Sequence, residues 1–400
     1  MFDSVNNETT GVSSNLFGEV VGAIRKTIKI QIARNALLGE LSLLAEVVKP
    51  KSLLPSFNYL LVEAARDRVI LRTAGLNNTL QCEIGADVIE AGGVCLPARK
   101  LYEIVRQLPS ETITISGVEH SATLKCGASR FKLNAISPDD FPEAPAAADS
   151  LTPIPRDVLL RLIQSSLFAA QRSGDSGRYA LDSAQLTVGP KGARMIATDG
   201  HRLICIERAD VIQEKLITML VPRTSLSAIS KVLASSEGEA TIGINSNRLL
   251  VNAGERRFSS VMIDRAYPDC EPLLSKIFER QLTLDCQEFK AAINRMSVFG
   301  ADGSDRDFGM IKFHFAPDRH ELISVNPNGC EGKEEIIPIS SAVDVETTIN
   351  FNGRYLQDFA RALSGSALTI KYNDEHSLVE MRPTTDDGYV IRYILMPCMP

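Results

Sequence analysis

The chain has 400 residues, 44% of them hydrophobic and 23% charged, which is too long for one ordinary core and argues against a disordered, collagen-like or membrane protein. Its 43 basic and 49 acidic side chains give a formal charge of -6, and taken whole that balance argues against a phosphate backbone as partner. Eight cysteines without a C-x-x-C pair and five histidines without an H-E-x-x-H leave a zinc site, a disulfide scaffold and a metal cofactor without support.

Residues 1–26 lack the basic start and apolar core of a signal peptide, so the cytoplasm is the expected compartment. Leu16, Phe17, Val20, Val21 and Ile24 fit one face of a short helix, but the segment reads first as a poorly ordered leader.

From Ile28 the chain shows a repeat. A short strand runs into an amphipathic helix at Ile28, again at Leu151 and again at Leu282. A second strand–turn–helix copy follows each at Val94, Leu220 and Ile349, after intervals of 66, 69 and 67 residues. The turn residue is Pro97, Pro222 or Asn352, and strands of period-two alternation follow each helix. The phrases DDFPEAP and RAYPDCEP close the first two units. Three α+β domains are expected over 27–147, 148–277 and 278–400, each with two helices packed on antiparallel sheets.

The six repeated helices, taken as 34–51, 97–108, 155–172, 222–234, 285–296 and 352–363, carry a net charge of +8, and the remainder carries -14. Helices facing one way would form a positive surface on an acidic body, suited to a duplex backbone held without base readout. Few aromatic residues interleave with these cations, so stacking on single strands has no support.

The most specific phrase is Ala197-Thr198-Asp199-Gly200-His201-Arg202-Leu203 after R-Y-x-L. Asp199 two residues before His201 could orient an imidazole for general-base chemistry, but no nucleophile or metal motif accompanies the pair, so the chain is read as non-catalytic. With LPARKLYEIVRQLP, SRFKLNAISPDDFP, AYPD, FNGRYLQD and YILMPCMP, the phrase resembles the DNA polymerase III beta subunit family, the bacterial sliding clamps. The similarity runs through residues 27–400 in order.

That resemblance implies a head-to-tail homodimer, a ring of six clamp domains around duplex DNA that confers processivity on the replicative polymerase. It implies a groove for short peptides from the polymerase catalytic subunit, the clamp loader, other DNA polymerases and repair proteins. The matching groove positions are Leu181, Thr198, Gly200, His201, Arg202, Leu203, Pro268, Leu273, Asn352, Tyr355, Met396 and Pro397. Leu181, Leu203, Leu273 and Met396 would offer apolar pockets, and His201, Arg202, Asn352 and Tyr355 would hydrogen-bond an extended backbone. Matching DNA-facing positions are Lys51, Arg99, Lys100, Arg106 and Arg223, with Arg172 and Lys231 added by the charge count alone. Phe131 and Leu133 on one edge, and Val298 and Phe299 at the other end, are the expected dimer contacts.

Departures from the family pattern are Pro272 beside the groove, the loop QRSGDSG and the tail Pro397-Cys398-Met399-Pro400. They put the peptide preference in question, leave Cys398 as a site for oxidation, and keep open a paralogous interaction hub that does not serve the main polymerase.

Overall fold

The computed structural model describes residues 27–48, 54–109, 111–148, 150–172, 180–300, 309–325, 331–385 and 387–398. The leader, Lys51 and the R-Y pair before Ala180 therefore lie outside the described residues.

Helices form where the sequence repeat places them: α1 (Arg34–Val47), α2 (Ala98–Gln107), α3 (Arg156–Ser166), α4 (Arg223–Ala234), a single turn α5 (Glu271–Leu274), α6 (Cys286–Gly300) and α7 (Gly353–Ala362). Pro97, Pro155 and Pro222 occupy the position just before α2, α3 and α4, where extended backbone is required and no intrahelical amide is lost. The third domain uses side-chain caps instead. Asp285 Oδ1 accepts from the amides of Gln287 and Glu288 at 2.8 and 3.0 Å, and Asn352 Oδ1 accepts from Arg354 N at 2.9 Å.

Strands with one open face turn alternate residues inward, while those such as Arg202–Arg208 are covered on both faces. In Thr27–Ala33 the isoleucines at 28, 30 and 32 are buried while Lys29 faces out. Each domain builds two antiparallel arrangements from such strands, four and four in the second domain and five and four in the first and third, and across both domain boundaries they fuse. One eight-stranded sheet joins Arg256–Val261 of the second domain to Asn78–Gly85 of the first, and one nine-stranded sheet joins Arg202–Arg208 to Tyr389–Leu395 of the third. A five-stranded sheet ends the first domain at Ser129–Asn134, and a four-stranded sheet ends the third at Glu331–Glu335.

Helices pack in pairs, α1 with α2, α3 with α4 and α6 with α7. The pairs also meet one another. α1 packs on α4, with Lys231 Nζ 2.8 Å from Glu46 Oε1, and Arg161 of α3 hydrogen-bonds Ser364 just past α7. The helices thus form one row, α2–α1–α4–α3–α7–α6, backed by sheets. No helix among the described residues is long and apolar enough to cross a membrane.

Candidate partner-binding groove and helix face

The Thr198–Arg202 turn is fixed from within. Thr198 Oγ1 donates to Arg202 O at 2.6 Å and accepts from Gly200 N at 3.1 Å. Asp199 Oδ1 accepts from the amides of His201 and Arg202 at 3.0 and 3.1 Å. Gly200 holds φ +91°, a conformation side chains resist, and the open side of the turn lies over Leu181. Asp199 therefore serves as a turn former bonded to the backbone of His201. It holds no hydrogen bond to the imidazole of the kind a general-base pair requires.

Arg202 is 7% exposed, and each of its guanidinium nitrogens bonds an oxygen inside the protein. It meets Asp199 Oδ2, Asp358 Oδ2 and Phe168 O at 2.9, 2.9 and 2.7 Å and lies 4.3 Å from the centre of the Tyr355 ring. Burial opposes its charge, but the surrounding Tyr393, Asp199 and Asp358 outweigh that and hold the group above its ordinary pKa. One N–H on each of its three nitrogens is thus committed to locking α7 to the turn. Asn352 is likewise engaged in capping α7 through its side-chain oxygen.

Leu203 departs from expectation. At 2% exposed it packs with Ile196, Cys205, Cys270, Leu274 and Ile394, so it belongs to a floor and not to an open wall. The accessible apolar groups are Leu273 on α5, 37% exposed, and Met396, 48% exposed. His201 is exposed, and its ring stacks 6.4 Å from that of Tyr355. The tail is tied across the site, with Met396 N donating to His201 O at 3.0 Å and Cys398 N to Asn350 O at 2.7 Å. Pro268 follows Tyr267, whose hydroxyl donates to Ile196 O at 3.2 Å, so the linker is held beside the floor. Burial raises the Cys398 thiol above its ordinary pKa, which lowers its thiolate fraction and counts against easy oxidation.

Sequence reasoning did not assign Asp358, Phe168 or the floor residues Ile196, Cys270, Leu274 and Ile394. Asp358 was visible as the last letter of FNGRYLQD, but its pairing with Arg202 spans 156 residues and has no local signal.

On the helix row, Lys100, Arg106 and Arg172 are exposed. Arg99 is exposed as well and donates to Val48 O at 3.2 Å, and Arg223 is half-buried, donating to Leu167 O at 3.3 Å. Burial, then the neighbouring Arg172 and Arg202, pushes Arg223 below its ordinary pKa. Other helix cations are committed elsewhere. Arg34 caps α2 through Val105 O and Arg106 O, Arg295 pairs with Glu334, and Lys231 pairs with Glu46. The +8 count thus overstates the charge available to a ligand.

At the ends, Val298 is 78% exposed on α6, and Phe299 covers Gly332 of the edge strand, where an added Cβ would lie 3.1 Å from its ring. Phe131 is half-buried and Leu133 is buried in its own domain.

Models of the DNA polymerase III beta subunit match residues 28–145 as its N-terminal domain, 153–269 as its central domain and 272–399 as its C-terminal domain. The chain belongs to the DNA polymerase III beta subunit family. The beta sliding clamp of Pseudomonas putida is 29% identical over 90% of this chain and 98% of its own. That of Staphylococcus aureus is 27% identical over 92% and 99%. The crystal structure of the Pseudomonas aeruginosa clamp bound to griselimycin superposes with a TM-score of 0.83 at 26% identity, covering 95% of this chain and all of the other. The family is one of non-catalytic sliding clamps, and its three-domain fold is the one described above.

Proposed function

We propose that two copies of this chain close head to tail into a ring that encircles duplex DNA, holds the replicative polymerase through the groove and so confers processivity. The observation that carries this reading is the pairing of sheet edges. Each internal domain seam joins the end strand of one domain's arrangement to the end strand of the next domain's, Asn78–Gly85 with Arg256–Val261 and Arg202–Arg208 with Tyr389–Leu395. The repeat-equivalent strands left at the two ends are Glu331–Glu335 and Ser129–Asn134. An unpaired edge invites a partner strand, and joining these two would repeat the seam a third time. Their sequences, EGKEE and SRFKLN, carry opposite net charge. Val298 and Phe299 lie beside one edge, and Phe131 lies on the other.

In such a ring the helix row faces inward, and Arg99, Lys100, Arg106 and Arg223 supply sequence-independent phosphate contacts, weak enough to slide. Lys51 and Arg172 extend the same set. The groove between the second and third domains takes a short peptide over Leu273, Met396 and His201, with Leu181, Thr198, Gly200, Leu203, Pro268, Tyr355 and Pro397 shaping it. Its ligands are the polymerase catalytic subunit, the clamp loader, other DNA polymerases and repair proteins, and the compartment is the cytoplasm.

The test is retention on DNA. Protein loaded on a nicked circle should remain after a salt wash and leave once the circle is linearised. Equal retention on both forms would refute a topological hold.

A further inference from the structure

The strand Tyr389–Leu395 has the groove at its C-terminal end and a separate concavity at its N-terminal end, roughly 20 Å away at the rise of an extended strand. This cavity, about 360 Å³, opens on the sheet face of the third domain and is lined by Thr283, Thr369, Lys371, Arg382, Thr384 and Tyr389, among others.

Its two cations stand apart from the other basic residues of the same sheet. Arg194 pairs with Glu207 and Glu271, Arg208 with Asp210, Arg280 with Asp344 and Arg392 with Glu380. Among the described residues neither Lys371 nor Arg382 forms an ion pair; Glu380, which stands opposite Lys371, is buried and committed to Arg392. On a body whose charge outside the repeated helices is -14, two cations left open in one concavity mark a place that attracts acid instead of repelling it.

Their spacing narrows the chemistry. Arg382 stands opposite Thr369, and Lys371 lies two residues on from Thr369 on the same strand and face. That diagonal places their Cβ atoms roughly 7 Å apart. Alternate side chains of an extended peptide project to one side at about the same interval. The hydroxyls of Thr283 and Thr369, 3.3 Å apart, lie on the floor, where they can bond peptide groups.

We propose that this cavity is a second docking site on the sheet face, which takes an extended acidic segment of a partner protein with carboxylates at alternate positions. The two cations would each hold one carboxylate, and the threonines would bond the intervening peptide.

The probe is a fluorescein-labelled octapeptide containing Glu-Ser-Glu, measured by polarisation at low salt against the full-length protein. Binding should weaken about tenfold in the double variant Lys371→Gln, Arg382→Gln, as expected for two exposed charge pairs. A Gln-Ser-Gln peptide and a peptide with adjacent glutamates should both bind more weakly than the probe. The double variant should keep the wild-type mass in solution and wild-type retention on DNA, since neither residue belongs to the helix row, the groove or the strand edges. Unchanged binding in the double variant would place the peptide on the inner helices and overturn the proposal. So would failure of the octapeptide to bind while inorganic phosphate raises the Tm of the wild type and not of the double variant, because the cavity would then be a free-anion site.

Discussion

The guanidinium carbon of Arg202 lies 4.3 Å from the centre of the Tyr355 ring, while two of its nitrogens bond Asp199 and Asp358. One buried cation thus joins the turn of the second domain to α7 of the third. Replacing Asp358 with Asn should cost about 1.5–3 kcal/mol, the range for a hydrogen bond to a charged group. Calorimetry of the full chain should show a lowered Tm. Peptide affinity should fall as well, because Tyr355 and His201 lose their fixed spacing.

The groove residues divide by burial. Leu203→Ala removes side-chain volume from a closed cluster and should destabilise the protein by about 2–4 kcal/mol. Met396→Ala removes a half-exposed group, so it should leave Tm nearly unchanged yet weaken peptide binding by about 1–2 kcal/mol. Calorimetry and peptide titration of both variants separate the floor from the wall.

Cations of the helix row divide in the same manner. Lys100→Gln with Arg106→Gln should lower affinity for linear duplex and flatten its salt dependence, by a slope of about 1.8 in log K against log salt if both touch phosphate. Arg34→Gln should instead lower Tm, since that side chain bonds the carbonyls of Val105 and Arg106. Salt titrations of the two variants, each with a melting curve, check the division.

Closure of the ring should depend on the exposed end of α6. Phe299→Arg together with Val298→Arg places charge beside the edge strand and should convert a species of twice 43.6 kDa into one of 43.6 kDa. Light scattering reads the outcome directly, and an unchanged mass would remove these residues from the interface.

His320 gives the third domain a pH response. Burial pushes its pKa below the ordinary 6.5, so folding favours the neutral ring. The stabilisation is complete above pH 6.5 and is lost as pH falls through the lower folded-state value. Melting curves between pH 7.5 and about 5 should show Tm falling more steeply for the wild type than for His320→Gln.

The repeat was legible because hydrophobic period and turn chemistry are local. Prolines at 97, 155 and 222 mark helix starts, and alternating isoleucines mark a strand whatever it pairs with. What the strand pairs with is another matter. Nothing in Arg256–Val261 says that Asn78–Gly85 lies beside it, since any alternating edge would satisfy its hydrogen bonds. The groove was found through the Thr198–Leu203 phrase, yet the directions of Arg202 and Leu203 were not, because burial depends on Asp358 and Ile394 from far along the chain. Charge counting overstated the free cations for a related reason. It numbers cations without knowing that Glu334, from outside the helices, has already taken Arg295.

The fused sheets make the sequence repeat a poor guide to where the molecule can be cut. Ending the chain after the second domain would strip seven residue pairs from Arg202–Arg208, and starting it at the second domain would strip five from Arg256–Val261. Each excised piece would expose a fresh β-edge beside apolar surface, the form most prone to aggregate. The three domains are thus separable as a pattern of letters but share their sheets across both seams.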